Sequence, residues 1–304
     1  MITILIGKVL RASGVQYHVY SGGQHYICTV RGKLRKGLAT TTNLLSVGDD
    51  VYITPVSAEQ AVIERIAERR SKISRRSPGR EPKEQILAVN IDYAVIGMAA
   101  VAPDFKKNRL DRYCEASLRG KVKPVICINK IDLADEEFIR REMQIYEKLG
   151  NPVLYTSART RHGIDDLVDI LRGNVSVLVG SSGVGKSSLI NAVQPDLALK
   201  TNALRESFLK GRHTTTSAEL VTLDIGGMVL DTPGLREFAL WQDSSNDARD
   251  IMLSFPEIEQ LSRHCKFRNC SHQHEPGCAV KQAVERGEIE PARYRNLIKL
   301  TGEH

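Results

Sequence analysis

The stretch that decides the fold runs from Gly180 to Ser188 and follows the apolar residues 175–179. It fits the pattern G-x-x-x-x-G-K-[ST], with a strand-like run before it and a helix-like S-L-I-N-A-V within and after it. Its glycines let backbone N–H groups turn toward an anion, and a helix that starts at Lys186 adds its dipole at the same point. The stretch predicts a phosphate-binding loop (P-loop) made of Gly180, Ser181, Ser182, Gly183, Val184, Gly185, Lys186, Ser187 and Ser188. The alternative is a turn rich in glycine and serine that has no binding role.

In such a loop Lys186 reaches the β- and γ-phosphates of a nucleotide, and the Ser187 hydroxyl ligates Mg²⁺.

The chain has 304 residues, which allows two or three domains with sizeable cores. No apolar run reaches the length of a membrane span, and residues 1–6 are too short for the apolar part of a signal peptide. We therefore expect a cytoplasmic protein with no membrane partner.

The net charge of +7 is concentrated at the N-terminus. Residues 1–80 contain 13 Lys and Arg against 5 Asp and Glu, whereas residues 81–240 contain 21 of each. A basic block beside a neutral core favours a polyanionic partner larger than a nucleotide, and nucleic acid is the best fit. The alternative is a solvated, solubilising face.

Residues 1–68 contain short runs rich in β-branched and aromatic residues, separated by glycine-containing turns. This pattern predicts a small all-β barrel of the OB type, in which aromatic and basic residues bind nucleic acid. Residues 69–85 are basic and contain serine, proline and glycine, so we expect a linker. The candidate residues for this binding are the aromatic Tyr17, His18, Tyr20, His25 and Tyr26, which lie near the basic Arg31, Lys33, Arg35 and Lys36.

Residues 86–239 alternate strand-like and helix-like segments, which predicts an α/β domain with a parallel sheet. Asn129-Lys130-Ile131-Asp132 leaves one strand at its carboxyl end, where open α/β sheets bind ligands. The Asp132 carboxylate can accept two hydrogen bonds from guanine, whereas adenine would leave it unpaired at a cost of about 1–3 kcal/mol. We expect Asn129 to hold the loop, Lys130 to stack on the base and the Ser157-Ala158 turn to offer a backbone N–H to guanine O6.

Asp231-Thr232-Pro233-Gly234 follows a later strand, and Gly211–Thr216 reads G-R-H-T-T-T. We expect Asp231 to hold Mg²⁺ through water, Gly234 to contact the γ-phosphate and Thr215 to ligate Mg²⁺. The order of the motifs is unusual, because N-K-I-D and S-A precede the P-loop whereas ordinary GTPases have the P-loop first. The chain is therefore predicted to be a circularly permuted GTPase, a rearrangement that nearby domain termini permit.

Residues 240–304 contain a metal-binding pattern, C-x4-C-x-H-x5-C, formed by Cys265, Cys270, His272 and Cys278. Three thiolates and one imidazole suit a closed tetrahedral Zn²⁺ site of the structural kind. A segment with so little apolar content needs such a link, and we expect it to form a mainly helical zinc-binding domain. The alternative is three free thiols and chance histidines.

Taken together, these motifs resemble the family of ribosome small subunit-dependent GTPase A. The resemblance covers the barrel, the permuted GTPase domain and the zinc domain, although the barrel matches by pattern alone. It implies GTP hydrolysis to GDP stimulated by the 30S ribosomal subunit, binding to 16S rRNA, and a role of a monomer in late 30S maturation. Two alternatives remain: an RNA-binding assembly scaffold in which GTP is a structural ligand, and an ATP-dependent enzyme with an incidental N-K-I-D.

Leu235 stands after D-T-P-G, where Ras-type GTPases have the glutamine that orients the attacking water. Leucine can neither donate nor accept a hydrogen bond, so another group must place the water. His213 is the catalytic candidate within the chain, because it lies in the G-R-H-T-T-T stretch beside Thr215. Arg212 or a group from the partner is the alternative.

Overall fold

The computed structural model describes residues 3–13, 15–32, 45–76, 84–103, 105–195, 218–231, 251–252 and 255–302. They form a barrel, an α/β domain and a C-terminal helical domain.

The N-terminal region is a closed five-stranded barrel. Its strands follow the order β1-β2-β3-β5-β4, and β4 pairs back with β1 to close the sheet. The strands β3 and β5 are parallel and the other neighbours are antiparallel. Side chains of alternate residues fill the interior, so the predicted OB-like barrel is confirmed. The strands are β1 (Leu5–Ser13), β2 (Gln16–Ser21), β3 (Gln24–Val30), β4 (Asp50–Pro55) and β5 (Gln60–Ile66).

The central region is a sheet in the order β10-β9-β8-β11-β13-β12, in which only β12 is antiparallel. The predicted parallel α/β domain is therefore confirmed. Its strands are β8 (Tyr93–Ala99), β9 (Lys123–Asn129), β10 (Val153–Tyr155), β11 (Val175–Val179), β12 (Glu219–Thr222) and β13 (Met228–Asp231). Its helices are α1 (Lys107–Arg119), α2 (Glu136–Lys148), α3 (Ile164–Leu171) and α4 (Lys186–Val193).

Helices cover both faces of this sheet, which explains why its strands are apolar along their whole length. Along β8, Ile96 packs in the core that contains α1 and α2, whereas Val95 packs in the core that contains α3 and α4. The strand β11 lies between β8 and β13, so the P-loop that follows it starts near the middle of the sheet.

The barrel and the α/β domain share one continuous sheet, which the sequence pattern did not indicate. Arg11 of β1 pairs with Glu219 of β12, and this pairing joins the two sheets into eleven strands. A second difference concerns the expected linker, residues 69–85. Part of it forms β6 (Lys72–Arg76), which pairs with β7 (Glu84–Val89) because antiparallel pairing satisfies backbone groups whatever the side-chain composition.

The C-terminal domain contains three described helices, α5 (Pro256–Ser262), α6 (Ala279–Glu285) and α7 (Pro291–Gly302). The expectation of a mainly helical domain is therefore confirmed. Phe255, Ile258, Val280 and Leu297 form the centre of a small apolar core. Among the described helices, none combines the length and the apolar character needed to cross a bilayer.

A buried ion pair fixes the chain where it leaves the barrel. Asp49 has no exposed side-chain surface, and its two oxygens accept hydrogen bonds of 2.8 Å from Nε and Nη2 of Arg69. Asp49 also accepts a bond from the backbone N–H of Ser46. The hydrogen bond to Asp49 raises the pKa of Arg69.

We expect Arg69→Met to lower the free energy of unfolding by about 3 kcal/mol, because it leaves the buried Asp49 carboxylate without its countercharge. The matched control is Arg70→Met. Arg70 is exposed, and its Nη1 atom lies 3.4 Å from Oδ1 of Asp92, so it forms a surface ion pair. The control should change stability by less than about 1 kcal/mol. Urea denaturation followed by circular dichroism measures both, and equal midpoints would contradict a structural role for the Asp49–Arg69 pair.

Candidate nucleotide site and metal centre

The P-loop backbone leaves no room for side chains at two of its glycine positions. Gly180, Gly183 and Gly185 have φ angles of 139°, 84° and 96°, a region that glycine adopts without strain. A Cβ on Gly185 would lie 2.3 Å from Nδ2 of Asn129, and a Cβ on Gly180 would lie 2.2 Å from the Gly97 carbonyl oxygen. The neighbouring strands β8 and β9 therefore approach the loop closely enough to require glycine at both positions.

The side chains of the loop prepare it for an anion. Nζ of Lys186 donates hydrogen bonds to the carbonyl oxygens of Gly180 (2.7 Å) and Ser181 (2.9 Å), so the ammonium group lies against the loop itself. Ser187 and Ser188 are exposed in the first turn of α4. The helix start, the lysine and the exposed serines thus lie on one loop and the helical turn that follows it, which can bind a phosphate and a cation.

Asn129 connects the P-loop with the S-A turn. It is the last residue of β9 and is 2% exposed. Its Nδ2 donates to the Val184 carbonyl oxygen (2.9 Å), and its Oδ1 accepts from the Ala158 backbone N–H (3.2 Å). An amide carries both a donor and an acceptor, whereas a carboxylate would face the Val184 oxygen with a second acceptor. The structure therefore brings together three segments that lie far apart in the sequence.

Asp132 lies in a short helical turn after β9 and is held by the loop that follows β10. Its pKa is lowered by hydrogen bonds from the Ser157 hydroxyl and the Arg159 guanidinium group. The carboxylate is therefore ionised at neutral pH, the form that can accept two hydrogen bonds. Arg159 was not anticipated from the sequence; the signal that could have found it is a basic residue directly after T-S-A.

The adjacent Lys130 adopts a left-handed conformation with φ of 63°, and its Nζ donates to the Ala102 carbonyl oxygen at 2.5 Å. It thereby links the N-K-I-D turn to the segment after β8.

His213, Thr215 and Gly234 lie outside the described residues, as does the side chain of Asp231. The backbone of Asp231 ends β13, which is parallel and adjacent to β11, so it reaches the same edge of the sheet as the P-loop.

The predicted metal ligands come together in the C-terminal domain. The ligand atoms of Cys265, Cys270, His272 and Cys278 all lie within 4.8 Å of one another. The Cys265 and Cys278 sulfurs are 3.9 Å apart, and His272 Nδ1 lies 3.4 Å from the Cys278 sulfur. A tetrahedral zinc ion with Zn–S bonds of about 2.3 Å separates its sulfur ligands by roughly 3.8 Å, so the cluster has the size that Zn²⁺ requires.

The ionisation of the cluster also fits a cation. Burial lowers the pKa of His272, which keeps the imidazole neutral and able to ligate. Burial raises the pKa of Cys270 to about 12, so its thiolate forms readily only beside a positive charge. These four residues can hold a metal ion.

Comparison with known proteins places the chain in a family. Residues 66–241 match the family described as RsgA GTPase, and residues 6–63 match the RsgA N-terminal domain. The chain belongs to the RsgA GTPase family. It is therefore a GTP hydrolase, as the P-loop and N-K-I-D motifs predicted.

Relatives match over the full length of the chain. The "Small ribosomal subunit biogenesis GTPase RsgA" of Gemmatimonas aurantiaca is 39% identical over 306 residues, which cover 100% of this chain and 98% of the relative. The crystal structure of YjeQ from Thermotoga maritima is 31% identical, with a TM-score of 0.79 over 99% of this chain and 98% of YjeQ. YloQ, described as a circularly permuted GTPase, is 29% identical, with a TM-score of 0.75 over 99% of this chain and 95% of YloQ. These matches confirm the predicted permutation.

We expect Asp132→Asn to weaken GTP binding and to improve binding of xanthosine triphosphate, whose ring has an oxygen where guanine has its amino group. The matched control is Asp135→Asn three residues later, because Asp135 caps α2 by accepting from the N–H groups of Glu137 and Phe138. Since asparagine caps a helix about as well as aspartate, the control should leave both stability and base preference unchanged. Competition of both nucleotides against a fluorescent GDP analogue measures the preference, and an unchanged ratio in Asp132→Asn would show that Asp132 does not contact the base.

Proposed function

We propose that this GTPase acts on the small (30S) ribosomal subunit late in its maturation, binding 16S rRNA and hydrolysing GTP to GDP and phosphate faster on the subunit than alone. The nucleotide part is supported by the two hydrogen bonds of the Asn129 side chain, one donated to Val184 and one accepted from Ala158, which connect a P-loop with the S-A turn. The subunit part is supported by relatives named small ribosomal subunit biogenesis GTPase that match the whole chain. We further propose that the protein acts as a cytoplasmic monomer.

In this proposal the P-loop backbone and Lys186 bind the phosphates, and Asp132 selects guanine while Asn129 holds its loop. Lys130 flanks the base, and the Ala158 backbone lies beside it. Mg²⁺ neutralises charge on the phosphates when it is bound. The residues proposed to hold it are Ser187, Thr215 and Asp231.

Hydrolysis also needs a group that orients water, and we propose His213 for this role. Its support is indirect: Leu235 occupies the place where Ras-type GTPases have a glutamine, and His213 lies beside Thr215 in the sequence. An imidazole can donate or accept a hydrogen bond to water. If binding to the subunit places His213 beside the attacking water, the stimulated rate follows from that placement.

For RNA binding, the barrel offers aromatic rings and cations that are partly or fully exposed. Tyr17 and Tyr26 are 8% and 7% exposed and belong to the core, which removes them from the candidates for base stacking. The Tyr20 and His25 rings lie 5.1 Å apart on neighbouring strands. On another part of the barrel, the Arg65 guanidinium group stacks 3.9 Å from the centre of the Tyr52 ring. Rings and guanidinium groups of this kind are suited to single-stranded nucleic acid.

GTP turnover titrated with 30S subunits, 50S subunits and naked rRNA tests the proposal. We expect stimulation by 30S subunits alone, and loss of that stimulation in His213→Ala with GTP affinity and subunit binding unchanged. Full stimulated turnover in this variant would exclude His213 and point to Arg212 or a group of the subunit. Tight binding to 30S subunits without any stimulation would instead identify an assembly scaffold in which GTP is a structural ligand.

The metal proposal is one structural Zn²⁺ per chain at the cysteine cluster. We expect Cys270→Ala to lose zinc and the helical signal of the C-terminal domain, because a three-ligand site holds the ion far more weakly. Cys28→Ala is the matched control, since Cys28 is buried in the barrel core away from the cluster. Metal analysis of the freshly purified variants measures their zinc, and circular dichroism measures their helical signal. Absence of zinc from the unmodified protein would contradict the proposal.

A further inference from the structure

Helix α1 of the GTPase domain contacts the P-loop and the C-terminal domain within its first two turns. Nη1 of Arg109 donates a hydrogen bond to Oγ of Ser181, the second residue of the P-loop, at 2.5 Å. Lys107 and Asp111 lie one helical turn apart and therefore project to the same side of α1. Arg109, halfway between them, projects to the opposite side. The start of α1 is thus placed between the nucleotide site and the C-terminal domain.

The contact with the C-terminal domain is a buried ion pair. Asp111 is 1% exposed and Arg293 of α7 is 2% exposed, and Asp111 Oδ1 accepts from Nη1 of Arg293 at 2.5 Å. The second carboxylate oxygen accepts from Nδ2 of Asn296, also on α7, at 2.5 Å. Tyr146 of α2 donates its hydroxyl to Oδ1 of Asp111 at 2.8 Å, so both oxygens are used.

The Arg293 side chain is also fixed from within its own domain. Its Nε donates to Glu257 of α5 at 2.8 Å, and its guanidinium group lies 4.3 Å from the centre of the Phe255 ring. At the start of α1, Lys107 pairs with Glu290, which directly precedes α7, at 3.0 Å. The C-terminal domain therefore holds α1 at two points, one of them fully buried.

A buried ion pair is weak evidence for added stability, but its charges offset their desolvation only in a specific geometry. If the C-terminal domain shifts, the buried Asp111 carboxylate loses its countercharge and Arg293 keeps only Glu257 of its two carboxylate partners, which is unfavourable. The pair therefore tolerates essentially one arrangement of α7 on α1. Because α1 is one continuous helix over these residues, that arrangement also constrains where Arg109 lies relative to the P-loop.

We propose that Asp111 and Arg293 are positioning residues for the nucleotide site, through which the docked C-terminal domain keeps Arg109 at the P-loop and raises affinity for guanine nucleotides. Arg109 contributes by restraining Ser181 and by adding a cation beside a loop that binds a polyanion. The inference rests on the nucleotide site proposed above.

Linkage makes the coupling reciprocal. If docking of the C-terminal domain raises affinity for GDP by some factor, GDP stabilises the docked arrangement by the same factor. GDP is therefore expected to slow hydrogen exchange of backbone amides in α7, although α7 contributes no residue to the proposed nucleotide site. If Asp111 and Arg293 had a purely structural role, GDP would not slow hydrogen exchange in α7, and Arg109 would have no influence on that exchange.

The test is the dissociation constant of a fluorescent GDP analogue, measured on the full-length protein with its zinc content checked. We expect Asp111→Asn and Arg293→Met to weaken binding by at least about fivefold, the lower end of ordinary coupling between sites. The matched control is Arg295→Met, which removes the same charge from an exposed position of the same helix and should leave the constant unchanged. In an Arg109→Gln background, Asp111→Asn should have no further effect.

The outcomes separate the possibilities. If Arg293→Met loses zinc, Asp111→Asn decides, since it keeps the shape of the side chain. A folded Asp111→Asn variant with unchanged GDP affinity overturns the proposal. Equal weakening by Asp111→Asn with and without Arg109 also overturns it, because the effect would then not pass through α1. Failure of the unmodified protein to bind GDP would refute the nucleotide site itself, which is a different result.

Discussion

The two hydrogen bonds of the Asn129 side chain are the interaction on which the nucleotide site depends. They connect the end of one strand to a loop 55 residues later and to a turn 29 residues later. Gly185 has no room for a side chain because Asn129 approaches it, so the loop sequence and the asparagine constrain each other. Removal of the amide would leave the Val184 carbonyl and the Ala158 N–H to find other partners, and the three segments would lose their common reference point.

The same interaction explains why the order of the motifs is free to change. The carboxyl ends of β8, β9 and β11 meet at one edge of the sheet whatever the order in which the chain supplies them. A permuted chain keeps each neighbour in the sheet and therefore keeps the site. What permutation changes is the covalent path that enters and leaves the domain: here a barrel precedes the first strand and a helical domain follows the last.

Most of the architecture was accessible from the sequence, because it depends on local patterns. Apolar strand-like segments that alternate with helix-like segments predicted the parallel sheet. Short runs rich in β-branched residues, separated by turns that contain glycine, predicted the barrel. Partners distant in sequence were not accessible: the pairing of Arg11 with Glu219 and the contact of Arg159 with Asp132 leave no periodic signal. Asp111 and Arg293 are likewise 182 residues apart and would both be expected at the surface from residue type alone.

The single pairing between β1 and β12 has a consequence for synthesis on the ribosome. The five barrel strands are complete by residue 66, and β8, β9 and β10 can pair with one another before the central strand β11 has been made. The edge of β1 that accepts β12 must wait for more than 200 further residues. Since domains fold in the order in which they emerge, the barrel and half of the GTPase sheet exist as separate bodies in the nascent chain. The pairing that makes them one sheet forms last, and until then the part of β1 near Arg11, beyond its pairing with β4, has an unpaired edge.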